Sequence, residues 1–193
     1  LARRRENIVL LSRENDRGRE TLNELQEINK EGRVDWIPCD LSSMKSVRKF
    51  VEEFSQKYSK LNLLFNCAGM ISLKRNLTRE GLESMFATNY LGHFLLTKLL
   101  YESLKAGAPS RVITVSGRGH KKSWPRRHSR HAANFNNLHK DTCFNFVEAA
   151  KESMLARIML SYQLAEKWEK DSIYATSISP GLTSTGLTDH LPL

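Results

Sequence analysis

The chain has 193 residues, of which 40% are hydrophobic and 26% charged, with a formal net charge of +9. That length suits one domain with a sizeable core, and that balance excludes a disordered chain. No apolar run is long enough to span a bilayer, since the most apolar segment, "LGHFLLTKLL", is broken by His93 and Lys98.

The opening "LARRRENIVLLS" imitates a charged leader with a short apolar run but has no small-residue cleavage site, so it is read as part of the fold. A start at Leu1 rather than Met and an end at "HLPL" suggest a piece of a longer protein. Cys39, Cys67 and Cys143 are odd in number, far apart and without metal-ligand spacing. Reduced thiols, an intracellular, cytoplasmic location and no metal are therefore expected. The positive excess collects in "LARRR" and in "RGHKKSWPRRHSRH", Arg118 to His131. A solvated surface is the expected reading, and the alternative is nucleic-acid contact with stacking from Trp124, for which no recognised motif exists.

In chain order, "NIVLLS" is a short run rich in branched residues, a buried-strand signal. "DRGRETLNELQEINKEG" follows with Leu22, Leu25 and Ile28 at helical spacing and Gly32 as a stop. "RVDWIPCD" is a second strand. "LSSMKSVRKFVEEFSQKYSK" is a second helix, with Val47, Phe50, Val51 and Phe54 on one stripe and Ser42 or Ser43 as N-cap. "LNLLFNCAG" is a third strand running into a turn, and "TREGLESMFATNYLGHFLLTKLLYESLKAG" is a long helix with a break near Asn89 to Gly92. "SRVITVSG" is a fourth strand, Arg118 to Asn145 a long loop, "VEAAKESMLARIMLSYQLAEKW" a helix from Val147 to Trp168, and "SIYATSISPG" a fifth strand. Strands alternating with helices predict an α/β fold with a parallel sheet covered on both faces.

Ligands of open parallel sheets bind beyond the carboxyl ends of the strands. Here those ends are Ser12-Arg13, Cys39-Asp40-Leu41, Asn66-Cys67-Ala68-Gly69, Ser116-Gly117 and Ser179-Pro180-Gly181. Arg13 can pair with a ribose 2′-phosphate, and no acidic residue stands beside it to take a free 2′-hydroxyl, so NADP (NADPH) is favoured over NAD. Asp40 can accept from an adenine amino group, and Ala68-Gly69 leave main chain open to a ribose. Singly each is weak; their order along the chain carries the reading.

"CDLSS", "NCAG", "ATNYLGHFLLTKLL", "APSRVITVS" and "SISPGLTST" together resemble the short-chain dehydrogenase/reductase family, and "NYLGHFLLT" and "APSRVI" resemble its retinol-dehydrogenase-like branch. The likeness runs from Leu1 to about Thr188, with Cys67 standing where the family has asparagine. It implies one partial NAD(P)-binding domain over residues 1–193, with a Rossmann-like doubly wound sheet and cofactor contacts from Arg13, Asp40, Leu41, Asn66, Ala68, Gly69, Pro180 and Gly181. It also implies hydride transfer between a nicotinamide and an alcohol or carbonyl of retinoid or lipid type. In the family a tyrosine passes the proton, a lysine four residues on lowers its pKa, a serine orients the oxygen and an asparagine supports a water relay, which is general acid–base catalysis.

Matched residue by residue, the asparagine is present as Asn89. The serine position falls on Gly117, with Ser116 adjacent but on the opposite strand face. "SMLARIMLSYQLAEKW" matches the family's helix from Ser153 onward, which places Met154 at the lysine and Ala150, or Ala149 on a one-residue shift, at the tyrosine. No tyrosine occurs between Tyr101 and Tyr162. Lys151 is one turn early and is expected at the surface. The family's glycine-rich turn is absent from residues 1–33, so the first strand and its phosphate-binding turn are expected to be missing, with cofactor binding weakened and sheet edges exposed beside a gap. The expected outcome is a short-chain-dehydrogenase-like oxidoreductase with impaired or absent catalysis. The alternative is a non-catalytic cofactor-sensing or scaffold protein. A small-molecule alcohol or carbonyl and a homo-oligomer are the expected partners, with no nucleic acid, and membrane contact only through a segment outside this chain.

Overall fold

Each run of branched apolar residues forms a parallel strand in the computed structural model, which describes residues 2–4, 6–117, 137–138 and 144–181. The strands are β1 (Ile8–Ser12), β2 (Val34–Pro38), β3 (Leu63–Asn66), β4 (Ser110–Val115) and β5 (Ile173–Ile178). Between them lie α1 (Asp16–Ile28), α2 (Met44–Lys57), α3 (Ser84–Phe86), α4 (Gly92–Leu99), α5 (Tyr101–Ala106) and α6 (Phe146–Trp168). The basic segment Arg118 to His131, Cys143, most of the expected long loop and the tail beyond Gly181 lie outside the described residues.

Strand alternation sorts the helices onto two faces. On β2, Ile37 turns toward Val47, Phe50, Val51 and Phe54 of α2, whereas Trp36 turns the other way, against Gly18 of α1. Val9 and Leu11 of β1, Leu64 of β3, and Leu96 and Leu100 beyond α4 join the α2 core. A second cluster, Val112, Ile173, Leu160, Leu164 and Leu104, seats α6 on β4 and β5. Thus α1 covers one face, α2, α4 and α6 the other, and the architecture is the doubly wound α/β arrangement.

The sheet is in two pieces among the described residues. β1 pairs with β2, and β3 with β4 and β5 in the order β3-β4-β5, all parallel. Among the described residues no strand pairs with the second edge of β1 or of β3. On the face away from α6, Phe65, Tyr174 and Ile178 are exposed at 43%, 46% and 45%. This is the gap expected from the sequence.

The long helix begins later than expected and is interrupted. Residues 78–82 form a turn closed by Gly81 at φ 78°, a backbone region that glycine tolerates. Glu83 caps the helix start by accepting from the amides of Met85 and Phe86. Ala87–Leu91 is then a single π-helical turn, at the expected break and around Asn89, and such turns recur at functional sites. α2 is capped by Ser43. Glu80 adds a cap from across the fold, accepting from Ser43 Oγ at 3.1 Å and Met44 N at 3.1 Å. No helix among the described residues is long and apolar enough to cross a membrane.

Gly92 lets the π turn press onto the end of β2. A Cβ there would lie 2.1 Å from the Leu41 carbonyl oxygen, a rigid main-chain atom. Gly92→Ala ordinarily gains about 1 kcal/mol of helix propensity, but here overpacking wins. A net loss of about 1–3 kcal/mol is expected, read as a lower thermal midpoint; an unchanged or higher midpoint would contradict the contact.

Candidate active site

Arg13 is exposed just past β1. Asp40 follows β2 and folds back in an Asx turn, its Oδ1 accepting from Ser42 N at 2.9 Å and Ser42 Oγ at 2.8 Å. Its carboxylate lines a shallow cleft of about 300 Å³ with Ser42, Ser43, Thr78, Arg79 and Glu80. Leu41 does not face this cleft; it is 5% exposed and belongs to the α2 core.

The end of β3 is a buried polar knot. Asn66 is fully buried, its Nδ2 donating to Thr97 Oγ1 at 3.0 Å, with His93 Nδ1 3.2 Å from its Oδ1. His93 Nε2 donates to the Ala68 carbonyl at 2.8 Å. Arg157, from α6, donates through Nη1 to the same carbonyl at 3.1 Å and through Nη2 to the Asn66 carbonyl at 2.5 Å. Asn89 accepts from Met70 N at 2.7 Å and donates to Met70 O at 3.0 Å. Gly69 lies beside this pair, where a Cβ would make an ordinary contact with Asn89 Oδ1 at 3.4 Å. Cys67, Ala68 and Gly69 themselves stay exposed above the knot.

Burial sets the electrostatics. It pushes His93 down to about 3, aided by repulsion from Arg157, so the ring is neutral at ordinary pH. It pushes Arg157 down to about 10, which leaves the guanidinium charged. The Cys67 thiol is raised by burial, against a lowering pull from Arg157.

Asn89 is joined to α6 through Ser153. Asn89 Nδ2 donates to Ser153 Oγ at 3.1 Å, and Ser153 Oγ to the Ala150 carbonyl at 2.8 Å. Ser116, at the end of β4, donates its hydroxyl to the Met154 carbonyl at 3.0 Å. The ends of β3 and β4 therefore meet α6 at the turn that holds Ala150, Ser153 and Met154, with Gly117 next to Ser116. Ser116 faces α6 as strand alternation requires and spends its hydroxyl on the helix. Lys151 is half-buried, and Tyr162 is 73% exposed two turns beyond Met154. Pro180 and Gly181 are exposed past β5, Gly181 with φ 80°. Among the described residues no group of His, Cys, Asp and Glu could hold a metal ion.

Three members of the knot, His93, Ser153 and Arg157, were not singled out as site residues from the sequence. His93 is a polar break in "LGHFLLTKLL", and Arg157 lies on the otherwise apolar stripe of "SMLARIML". A polar residue on a core-facing stripe was the available signal.

The depressed His93 pKa ties stability to pH. Below about 6.5 the unfolded chain takes up a proton that the folded ring, at about 3, refuses. Stability contributed by neutral His93 is thus complete above pH 6.5 and is lost as pH falls from there toward 3, at up to about 1.4 kcal/mol per pH unit. Thermal denaturation from pH 7 to pH 4 should show a shallower decline for His93→Gln than for the unaltered chain; parallel curves would remove His93 as the cause.

Residues 1–133 match the family described as short chain dehydrogenase. Polyprenol dehydrogenase of Homo sapiens is 31% identical over 197 residues, covering 99% of this chain and 57% of that protein. Retinol dehydrogenase 11 of Mus musculus is 34% identical over 190 residues, covering 98% of this chain and 58% of that protein. The chain thus spans somewhat more than half the length of these relatives. Among solved structures, the Pseudomonas aeruginosa RhlG/NADP active-site complex superposes with a TM-score of 0.72 at 21% identity, over 96% of this chain and 66% of that one. A short-chain dehydrogenase from Sphingobium yanoikuyae in complex with NADPH gives 0.72 at 18% identity, over 97% and 66%. With a parallel doubly wound sheet, a polar knot at the end of β3 and this match over most of its length, the chain belongs to the short-chain dehydrogenase family, and its relatives include retinol and polyprenol dehydrogenases.

Proposed function

We propose that this chain is the nucleotide-binding part of an NADP-dependent oxidoreductase for alcohols or carbonyls, with proton transfer impaired. The carrying observation is the α6 turn tied to Asn89 through Ser153, where Ala150 and Met154 stand. A methyl and a thioether can neither donate a proton at neutral pH nor lower the pKa of a donor. Tyr162 points to solvent, and the Ser116 hydroxyl is committed to the Met154 carbonyl.

The residues fit a bound dinucleotide in part. Arg13 is exposed past β1 as a partner for a 2′-phosphate, Asp40 lines the cleft after β2, and Ala68 and Gly69 are exposed as a close-approach surface for a ribose. Residues 1–33 contain no glycine-rich turn, so the main-chain donors that such a turn gives a pyrophosphate are not among these residues. When bound, the nicotinamide supplies hydride. This chain's own part is to orient the cofactor at Asn66 to Gly69 and to hold the π turn through Asn89. A retinoid- or lipid-like substrate is consistent with the relatives' names, polyprenol dehydrogenase and retinol dehydrogenase. The same substitutions support a pseudoenzyme that binds the cofactor without turnover.

NADPH fluorescence titration tests the binding half, with saturable binding expected to weaken on Arg13→Ala. For the chemistry, NADPH oxidation across aldehydes and ketones should be slow in the unaltered chain. Ala150→Tyr combined with Met154→Lys should raise it by about 10²-fold or more. Brisk ketone reduction by the unaltered chain that persists in Tyr162→Phe would overturn the impaired-donor assignment.

A further inference from the structure

Arg157 is a cation held where charge is costly. It is 6% exposed, and taking a guanidinium out of water is unfavourable unless its protons find strong acceptors. The acceptors here are the main-chain carbonyls of Asn66 and Ala68, while Nε is buried with no partner among the described residues. The Asn66 carbonyl belongs to the last residue of β3 and the Ala68 carbonyl lies two residues on. By taking both, and sharing Ala68 with His93, α6 turns the chain off the sheet and holds it there. Cys67, Ala68 and Gly69 remain exposed above these contacts.

We propose that Arg157 is the positioning residue of the cofactor cleft, pinning Asn66 and Ala68 so that the Cys67–Gly69 main chain meets a nucleotide ribose in one conformation. The role rests on the cofactor reading above. Arg157 lies three residues after Met154 on the same side of α6, so the helix keeps a cation near this end of β3, although Met154 itself carries none. The guanidinium is beneath the platform rather than in the cleft. It acts through the backbone it holds, not by touching the cofactor, and its field reaches the Cys67 thiol, whose pKa it lowers against the effect of burial.

The test compares the unaltered chain with Arg157→Met and Arg157→Lys in a Cys143→Ser background. The measurements are NADPH affinity, hydrogen exchange of the 66–70 segment against β1 and β2, and the pH profile of Cys67 alkylation. Arg157→Met should bind NADPH about ten-fold more weakly, equivalent to about 1.4 kcal/mol, exchange the Met70 amide faster, and shift the Cys67 profile upward. Arg157→Lys should keep the Cys67 profile and recover part of the affinity. Unaltered protection in β1 and β2 shows that a variant is folded; should Arg157→Met fail that check, Arg157→Lys carries the comparison, with NADPH affinity measurably weaker, by less than about ten-fold, and faster Met70 exchange expected. Equal NADPH affinity across the folded variants, or unchanged exchange at 66–70, overturns the proposal. An unaltered chain that does not bind NADPH, while Arg157→Met still loosens 66–70, overturns the nucleotide part together with the cofactor reading and supports the platform role alone.

Discussion

The packing of α2 and α4 against both groups of strands is the constraint on which everything else depends. Among the described residues no backbone ladder joins β1–β2 to β3–β4–β5. What holds them in register is apolar contact: Phe50 and Phe54 from α2, Leu96 and Leu100 from α4 and beyond, Val9 and Leu11 from β1, and Leu64 from β3 share one cluster. Hydrophobic burial is non-directional, so it can hold two half-sheets together without hydrogen bonds between them. It cannot satisfy the edges of β1 and β3, which are templates for further pairing.

Polar chemistry collects where that apolar layer ends. The carbonyls past β3 have no sheet partners and take side-chain donors instead. Arg157, His93 and Asn89 supply them from two different helices. His93 stays neutral because burial and the neighbouring guanidinium both oppose its protonation, and a neutral ring suffices to donate to Ala68. The π turn brings Asn89 into line with Met70 and Ser153 at once. One buried network thus links three strand-end and helix features that are 64 to 91 residues apart along the chain in its longest contacts.

Structure and chemistry separate at this site. β3, β4, the π turn and α6 converge at this site, and Asn89 is bound to both Met70 and Ser153. The side chains at the point of convergence are Ala150 and Met154, with Gly117 beside Ser116. A fold can keep its binding geometry while losing acid–base function, because the former depends on backbone and buried polar contacts and the latter on one or two titratable groups.

The strands, the two long helices α1 and α2, the Ser43 cap and the break near Asn89 were legible in the sequence, because apolar periodicity and local capping act over a few residues. The family was legible too, through "NCAG" and "SISPGLTST" read together. The turn at residues 78–82 was misjudged as helix, since Gly81 and the Glu83 cap outweigh the helix-forming residues around them. Asp40 sits in an Asx turn at a cleft and the Leu41 side chain is buried in the core, placements that residue type alone does not announce. Sequence alone determined which residue types occupy each strand end, and hence that no phenol or ammonium stands at Ala150 and Met154. Only the tertiary structure decided that Arg157 reaches β3, that His93 is sealed and neutral, and that Ser116 is bound to Met154. Those contacts join segments far apart in the chain, where no local periodicity can announce which buried polar group will meet which.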